Sequence, residues 1–479
     1  MANVVVGQGL WYASFFVLAI LVAPSDFGVV AVAAVIVNLT ILFMSSGVGG
    51  SLIIARTLDA RSVRREVIRT SATGIVLTLL FVALATPIAH KFAKGSDPNA
   101  LRALAPIIAL IAVAIVPTAL LTKKMQFKRI ALITISASFV GAVAGVIAAA
   151  LGAGVWALVI RLGLYQVLVC VLTWVAAVEL FPRGDSRGAP SGAREGARAF
   201  LAIALAAFVA WEGDTMVVAG STNTTQVGFY ALAFSLAYAP LSQVSWTVGS
   251  VLLPAVASTQ EREAVRQQAL KASRLMALLL LPLLPASIAL APGLIPTLLG
   301  EKWSAAVVPF QILIVVGVGQ GILNMLGEVF AGAGGASLYR RAYTDVVWAV
   351  ATLAAIAVGV QLAGIRGAAA AHLITFSCLA AAYVWWVCRT IGIAPGQIGA
   401  ELRQIALCVL VQAAVTAAFV GVLRSVGASA LAAGLIGAAA GLLALALMLR
   451  AFAPGVVREA RSALGAAIGR RPDPAGAPA

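Results

Sequence analysis

Runs of about twenty apolar residues recur along the whole chain, separated by short polar stretches. A run of that length carries an α-helix across the ~30 Å hydrocarbon layer of a bilayer. Fourteen runs can be read, at 4–23, 28–48, 70–92, 101–121, 130–151, 155–177, 199–220, 227–251, 275–296, 307–330, 342–363, 365–388, 405–423 and 429–449. The pattern predicts an all-α polytopic membrane protein, because a helix satisfies every backbone N–H and C=O within its own segment. The longest polar stretch, Phe181–Arg198, follows the sixth run and reads as a loop, so no sizeable soluble domain is expected. An even number of crossings puts both termini on one side.

Composition agrees with the pattern. The chain is 62% hydrophobic and 10% charged, whereas soluble domains sit near ~45–50% apolar and ~25% charged. The net charge of +16 is a matter of where the cations lie. Loops after even-numbered runs and the C-terminal tail hold twenty-six of the Lys and Arg residues; the opposite loops hold six, Lys91, Lys94, Arg102, Lys302, Arg366 and Arg424. Basic loops stay cytoplasmic, so both termini are expected there, and the charge also attracts anionic lipid rather than nucleic acid. Cys170, Cys378, Cys388 and Cys408 fall inside apolar runs, with no disulfide framework or metal-ligand spacing. The N-terminus lacks a basic leader and cleavage site and reads as a retained first helix. VVREARSALGAAIGR after Arg450 reads as a short surface helix and PDPAGAPA as a disordered tail.

An internal repeat refines the domain picture. Shifted by 200 residues, Asp26–Ala55 falls on Gln226–Ala255 with matches that include Gly28/Gly228 and Gly49/Gly249. A second echo, shifted by 210, sets GVWALVI at Gly154 on GIRGAAA at Gly364. Two copies in one orientation suggest a transporter with a central path between two lobes. The expected organisation is an N-lobe of helices 1–6 (residues 1–180), a cytoplasmic linker (181–198), a C-lobe of helices 7–12 (199–390), two further helices (391–450) and a cytoplasmic tail (451–479).

Ionisable residues inside the runs are the functional candidates, since a charge at the bilayer centre costs about 2.5–3.5 kcal/mol on insertion scales. They are Arg161, Glu212, Asp214, Glu328 and His372. At ~1.5 Å per residue Arg161 lies ~9 Å below the outer face, and Glu212 and Asp214 lie ~20 Å above the inner face. Residues i and i+2 point ~200° apart, so Glu212 and Asp214 cannot share a helix face. Asp214 is expected to face the central path and meet Arg161, a proton or a cation; the structural alternative is a buried pair tying the lobes together. Arg161 could instead meet a pyrophosphate, because guanidinium forks match phosphate oxygens. Glu328 is expected to pair with Arg340 or Arg341. His372 is a titrating group or a packed, hydrogen-bonded one. Asp26 reads as a cap for the second helix, Gly28 and Gly228 as gate or turn positions, and Trp303 as an interface anchor.

Several segments resemble a known family. LVAPSDFGVVA (Leu21–Ala31), KKMQFKRIAL (Lys123–Leu132), LGAGVWALV (Leu151–Val159), GDTMVVAG with VGFYALAFSLAYAPLSQV (Val227–Val244), and LLGEKWSAAVVPFQIL (Leu298–Leu313) are similar, in order, to signatures of Wzx-type polysaccharide flippases. These belong to the multidrug/oligosaccharidyl-lipid/polysaccharide exporter superfamily. The resemblance implies fourteen helices, two six-helix lobes and export of lipid-linked sugar by alternating access, and it sets the family's recurrent acidic position at Asp214 rather than Glu212. The expected location is the inner membrane of a bacterium, and the expected partners are a lipid-linked oligosaccharide, membrane lipid, and glycosyltransferases and a polymerase of the same pathway. No organic cofactor or metal is expected; coupling to H+ or Na+ stays open. The alternatives are a drug or cation antiporter of the same superfamily, which the two carboxylates would suit, and a membrane glycosyltransferase or polymerase using the outer acids Asp26 and Glu301.

Overall fold

The structure is a computed structural model, which describes residues 2–44, 60–182, 205, 208–209, 212–238, 241, 262–332, 336–392, 394–452 and 455. Within these residues the chain is helical, with no strand. The helices are α1 (Ala2–Leu21), α2 (Pro24–Met44), α3 (Ala60–Phe92), α4 (Pro98–Leu104), α5 (Pro106–Lys123), α6 (Phe127–Ala150) and α7 (Val155–Ala177), then α8 (212–221) and α9 (224–238). They continue with α10 (Arg262–Leu280), α11 (Leu283–Leu299), α12 (Val307–Gly332), α13 (Ala336–Ile391), α14 (Pro395–Ser425) and α15 (Ala430–Phe452).

Ten described helices are long and apolar enough to cross a membrane. One of them, Tyr343–Arg389, contains two of the apolar runs. Its helix α13 is broken at Ala363 (φ −145°) and Gly364 (φ 58°), and its two limbs fold back so that Gly359 and Gly367 meet backbone to backbone. The run at 4–23 forms α1, Ala2–Leu21. The runs at 199–220 and 227–251 fall partly outside the described residues, as do most of the 181–198 linker, the tail beyond 455, and the Gly49/Gly249 match.

Helices also reach beyond their apolar runs. α3 starts ten residues before its run and α10 thirteen before its own. Those extensions are charged and amphipathic, so hydropathy does not register them. Arg69–Glu66 (2.8 Å) and Arg266–Glu263 (3.2 Å) pair one turn apart along them, each pair adding a few tenths of a kcal/mol to the helix. Val63 anchors the α3 extension by packing, fully buried, among Val116, Ala119 and Leu120 of α5.

The chain packs as two compact units, residues 1–232 with 342–372, and residues 233–341 with 373–479. In the first, α6 lies along α7 and α1, and α5 along α3 and α7. In the second, the two helices outside the repeat have a definite role: α14 and α15 cover α11. Gly293 meets the backbone of Leu431, and a Cβ at Gly434 would come within 2.7 Å of the Ala289 carbonyl. Close backbone approach through small residues is how helices associate in lipid, where burial of apolar surface gives no drive. The fully buried Gln412 adds a polar tie, donating its Nε2 to the Pro282 carbonyl (2.9 Å), at the break between α10 and α11.

One anchor is not where hydropathy places it. Trp303 is fully buried, in the turn Glu301–Ala306 that leads into α12, rather than exposed at an interface. That turn is closed by Ser304 Oγ donating to Glu301 (2.8 Å). An aromatic close to a span end serves either role, and tertiary packing decides.

Candidate functional site

The two halves of the repeat meet at a pair of glycines. α1 ends at Leu21 and α2 begins at Pro24; α8 ends at 221 and α9 begins at 224, so the 200-residue shift holds through the junction. Gly28 of α2 lies against the Thr224 carbonyl, and Gly228 of α9 lies against the Pro24 carbonyl. The contacts are reciprocal: Thr224 is four residues before Gly228, as Pro24 is before Gly28. A Cβ on Gly28 would also come 3.1 Å from the Gly228 amide nitrogen, and one on Gly228 3.2 Å from that of Gly28. Only glycine permits this crossing.

The second echo appears in the same place. Gly154 opens α7 at φ 56°, ψ −127°, and Gly364 opens the second limb of α13 at φ 58°, ψ −143°. L side chains rarely adopt that region. A Cβ on Gly154 would be 3.3 Å from the Asp26 carboxylate, and one on Gly364 3.4 Å from the Gln226 side-chain oxygen. Asp26 also accepts from the Ala23 backbone N–H at the start of α2. Thus Asp26 and Gln226, equivalent under the 200 shift, each set an oxygen at the entry of an equivalent helix.

Asp214 and Glu212 point to different neighbours, as helix geometry requires. Asp214 is buried to 1% exposure. Its Oδ1 accepts from the Thr215 N–H (2.6 Å) and hydroxyl (3.3 Å), and its Oδ2 from the Tyr230 hydroxyl of α9 (3.0 Å). Glu212, only partly buried, accepts from Asn38 Nδ2 of α2 (2.9 Å). Between them Gly213 packs under Leu353 of α13, whose methyl carbons would be 2.9 Å from a Cβ there. Lys94 Nζ donates to the Gly220 carbonyl near the end of α8 (3.3 Å).

Arg161 is buried in α7 and donates to Ser14 Oγ of α1 (2.9 Å). Gly145 of α6 makes room for it, because a Cβ there would be 2.7 Å from the Arg161 Cβ. The structure therefore gives Arg161 and Asp214 different hydrogen-bond partners. His372 is buried at the end of the first unit. Glu328 lies in α12, with its side chain outside the described residues, as are those of Arg340 and Arg341.

Asn38, Ser14, Thr215 and Tyr230 join these groups without a signal in the sequence. Neutral polar residues in apolar runs carry no charge signal. The repeat did hold one clue, because Ser14 shifted by 200 is Asp214.

The family model described as polysaccharide biosynthesis protein matches residues 17–308, more than half of the chain. The chain belongs to this family. The succinoglycan biosynthesis transport protein ExoT of Rhizobium meliloti (strain 1021) is 26% identical over 371 residues, 73% of this chain and 71% of that protein. The lipopolysaccharide biosynthesis protein WzxC of Escherichia coli (strain K12) is 24% identical over 385 residues, 76% and 74% of the two chains. Among solved structures, lipid II flippase MurJ in an inward closed conformation superposes with a TM-score of 0.70 at 12% identity, covering 95% of this chain and 99% of that one. An inward-facing multidrug resistance MATE family transporter of the MOP superfamily gives 0.58 at 16% identity, over 80% and 94%. These likenesses establish the all-helical, two-lobe fold of those transporters.

Proposed function

We propose that this protein flips lipid-linked oligosaccharide units, carried on a polyprenyl pyrophosphate, across a bacterial cytoplasmic membrane for export of surface polysaccharide. The observation that carries the reading is family membership: the matching family and both curated relatives are named for polysaccharide biosynthesis or transport. Fourteen crossings, with both termini cytoplasmic, fit the partition of basic residues. The reaction makes and breaks no bond. The protein shifts between a state open to the cytoplasm and one open outward, with its substrate biasing the populations.

In this reading the lobes 1–180 and 199–390 alternate. The Gly28–Gly228 crossing is the seal on the outer side, and Asp26 and Gln226 hold the helix entries around it. Asp214, Glu212 and Arg161 line or control the path, with His372 and Glu328 as further candidates, and H+ or Na+ is the coupling ion to test at Asp214. The fit of a multidrug transporter fold, together with two carboxylates inside the membrane, supports a second reading as a drug or cation antiporter.

The test is deletion of the gene in its bacterium. Flipping predicts loss of surface glycan and accumulation of the lipid-linked unit inside, with unchanged drug accumulation. Normal glycan with raised drug accumulation selects the antiporter, and sugar transfer by the purified protein would revive the enzyme alternative.

A further inference from the structure

The turn between α5 and α6 combines three features that the transport reading does not use. It ends α5 with three backbone bonds: Lys124 N–H donates to Leu120 O, Met125 N–H to Thr122 O and Gln126 N–H to Leu121 O, between 2.9 and 3.1 Å. Met125 occupies the left-handed position after the helix at φ 55°, and among described residues it alone does so without being glycine. Glycine is the usual residue there, because a Cβ is penalised. The sequence instead holds a methionine there, 73% exposed, with Phe127 51% exposed two residues on.

Cations surround this apolar tip. Lys124, Lys128 and Arg129 are exposed, and Lys123 precedes them; no acidic residue lies in Lys123–Leu132. Arg129 leans over the end of α7, donating to the Ala176 carbonyl (3.5 Å). The α3 extension brings more charge to the same end, because Val63 packs on Val116, Ala119 and Leu120 of α5. Arg64 and Arg65 are exposed there, and the single acid, Glu66, is paired with Arg69.

The depth is constrained. Pro98–Lys123 and Phe127–Ala150 are each long and apolar enough to cross a membrane, with three residues between them. So short a connection stays at headgroup level. At that level an exposed apolar side chain is favoured against acyl chains, and a cation against headgroup phosphates.

We propose that this turn and the basic start of α3 form a docking surface for anionic phospholipid. Met125 and Phe127 seat in the interfacial layer, and Lys124, Lys128, Arg129, Arg64 and Arg65 bind headgroup phosphates. The assignment to the cytoplasmic leaflet rests on the orientation proposed above.

Full-length protein is titrated with phosphatidylglycerol and with phosphatidylcholine, counting bound lipids by native mass spectrometry. Phosphatidylglycerol binds the wild type more tightly. The variant K124Q/K128Q/R129Q loses that preference by at least about tenfold, since each surface cation contributes substantially. K124R/K128R/R129K, which keeps the charge, retains it. M125S/F127S weakens both lipids, and M125G leaves the fold intact while weakening them less. Equal binding of the two lipids by wild type, or an unchanged preference in the triple Gln variant, overturns the surface. Loss of transport with phosphatidylglycerol binding intact in that variant also overturns it, assigning the cations to the transported pyrophosphate. Leaflet is read separately: M125C, in a background without the natural cysteines, is shielded from a membrane-impermeant thiol reagent in whole cells. Labelling from outside overturns the leaflet and the proposed orientation, and leaves the lipid preference as the measure of the surface itself.

Discussion

In the first copy of the repeat, Ser14 of α1 takes an N–H from the buried Arg161 of α7. In the second, the position 200 residues on is Asp214, a carboxylate held by Thr215 and Tyr230. Arg161 shifted by 210 becomes Ala371, with His372 next in the chain. The helix entries differ likewise, with Asp26 beside Gly154 but Gln226 beside Gly364. What the copies share is backbone: the breaks at 21–24 and 221–224, the reciprocal glycines 28 and 228, and the positive φ of Gly154 and Gly364. Positions where backbones touch tolerate no change, because a single Cβ would part the helices. Positions that carry charge have diverged, so a symmetric frame holds an asymmetric set of ionisable groups.

The largest effect expected is at the shared positions. Gly28→Leu and Gly228→Leu should each abolish transport, and Gly28→Ala and Gly228→Ala should each reduce it at least about tenfold, since overpacking at a backbone crossing costs roughly 1–3 kcal/mol. Vesicle flipping assays check this. Tolerance of leucine at one glycine alone would break the reciprocity.

Next come the diverged positions. Asp214→Asn should lower the transport rate by about tenfold, as loss of one buried carboxylate that accepts three bonds costs about 1–3 kcal/mol. Ser14→Ala, which removes a neutral acceptor, should cost about twofold to fivefold on the same scale. Equal effects would mean the copies have not diverged in function.

Smaller effects belong to the helix entries. Gly154→Ala and Gly364→Ala should each lose about 1–3 kcal/mol of stability through strain, read as similar falls in thermal midpoint. Smallest is the exchange of Asp26→Asn and Gln226→Glu, each shifting stability by about 0.3–1 kcal/mol in opposite directions, because a negative charge is favoured at a helix N-terminus.

Much of this was legible in the sequence where chemistry is linear. Apolar runs marked the helices, the 200 and 210 shifts marked the repeat, and i, i+2 geometry separated Glu212 from Asp214. The break at Ala363–Gly364 falls between the runs that end at 363 and begin at 365. The charged extensions of α3 and α10 were not legible, because they are helical without being apolar. Nor were the partners of the buried charges. Arg161 donates to a serine on α1 that no charge signal marks, because the sequence orders helices without saying which faces touch. Trp303 went inside for the same reason.

The central claim is that this chain moves a lipid-linked oligosaccharide by opening the side where α2 meets α8 and α9. Its most direct test uses cysteine-free protein carrying P24C and T224C, the residues whose carbonyls meet Gly228 and Gly28 at the crossing, reconstituted in vesicles whose lipid-linked oligosaccharide is tagged on the sugar and reported by an external quencher. Before cross-linking, the tag should pass from one leaflet to both; a short bifunctional thiol reagent should stop it, and reductive release should restore it. Flipping that continues with the pair cross-linked, or no flipping by the wild type, would contradict the account.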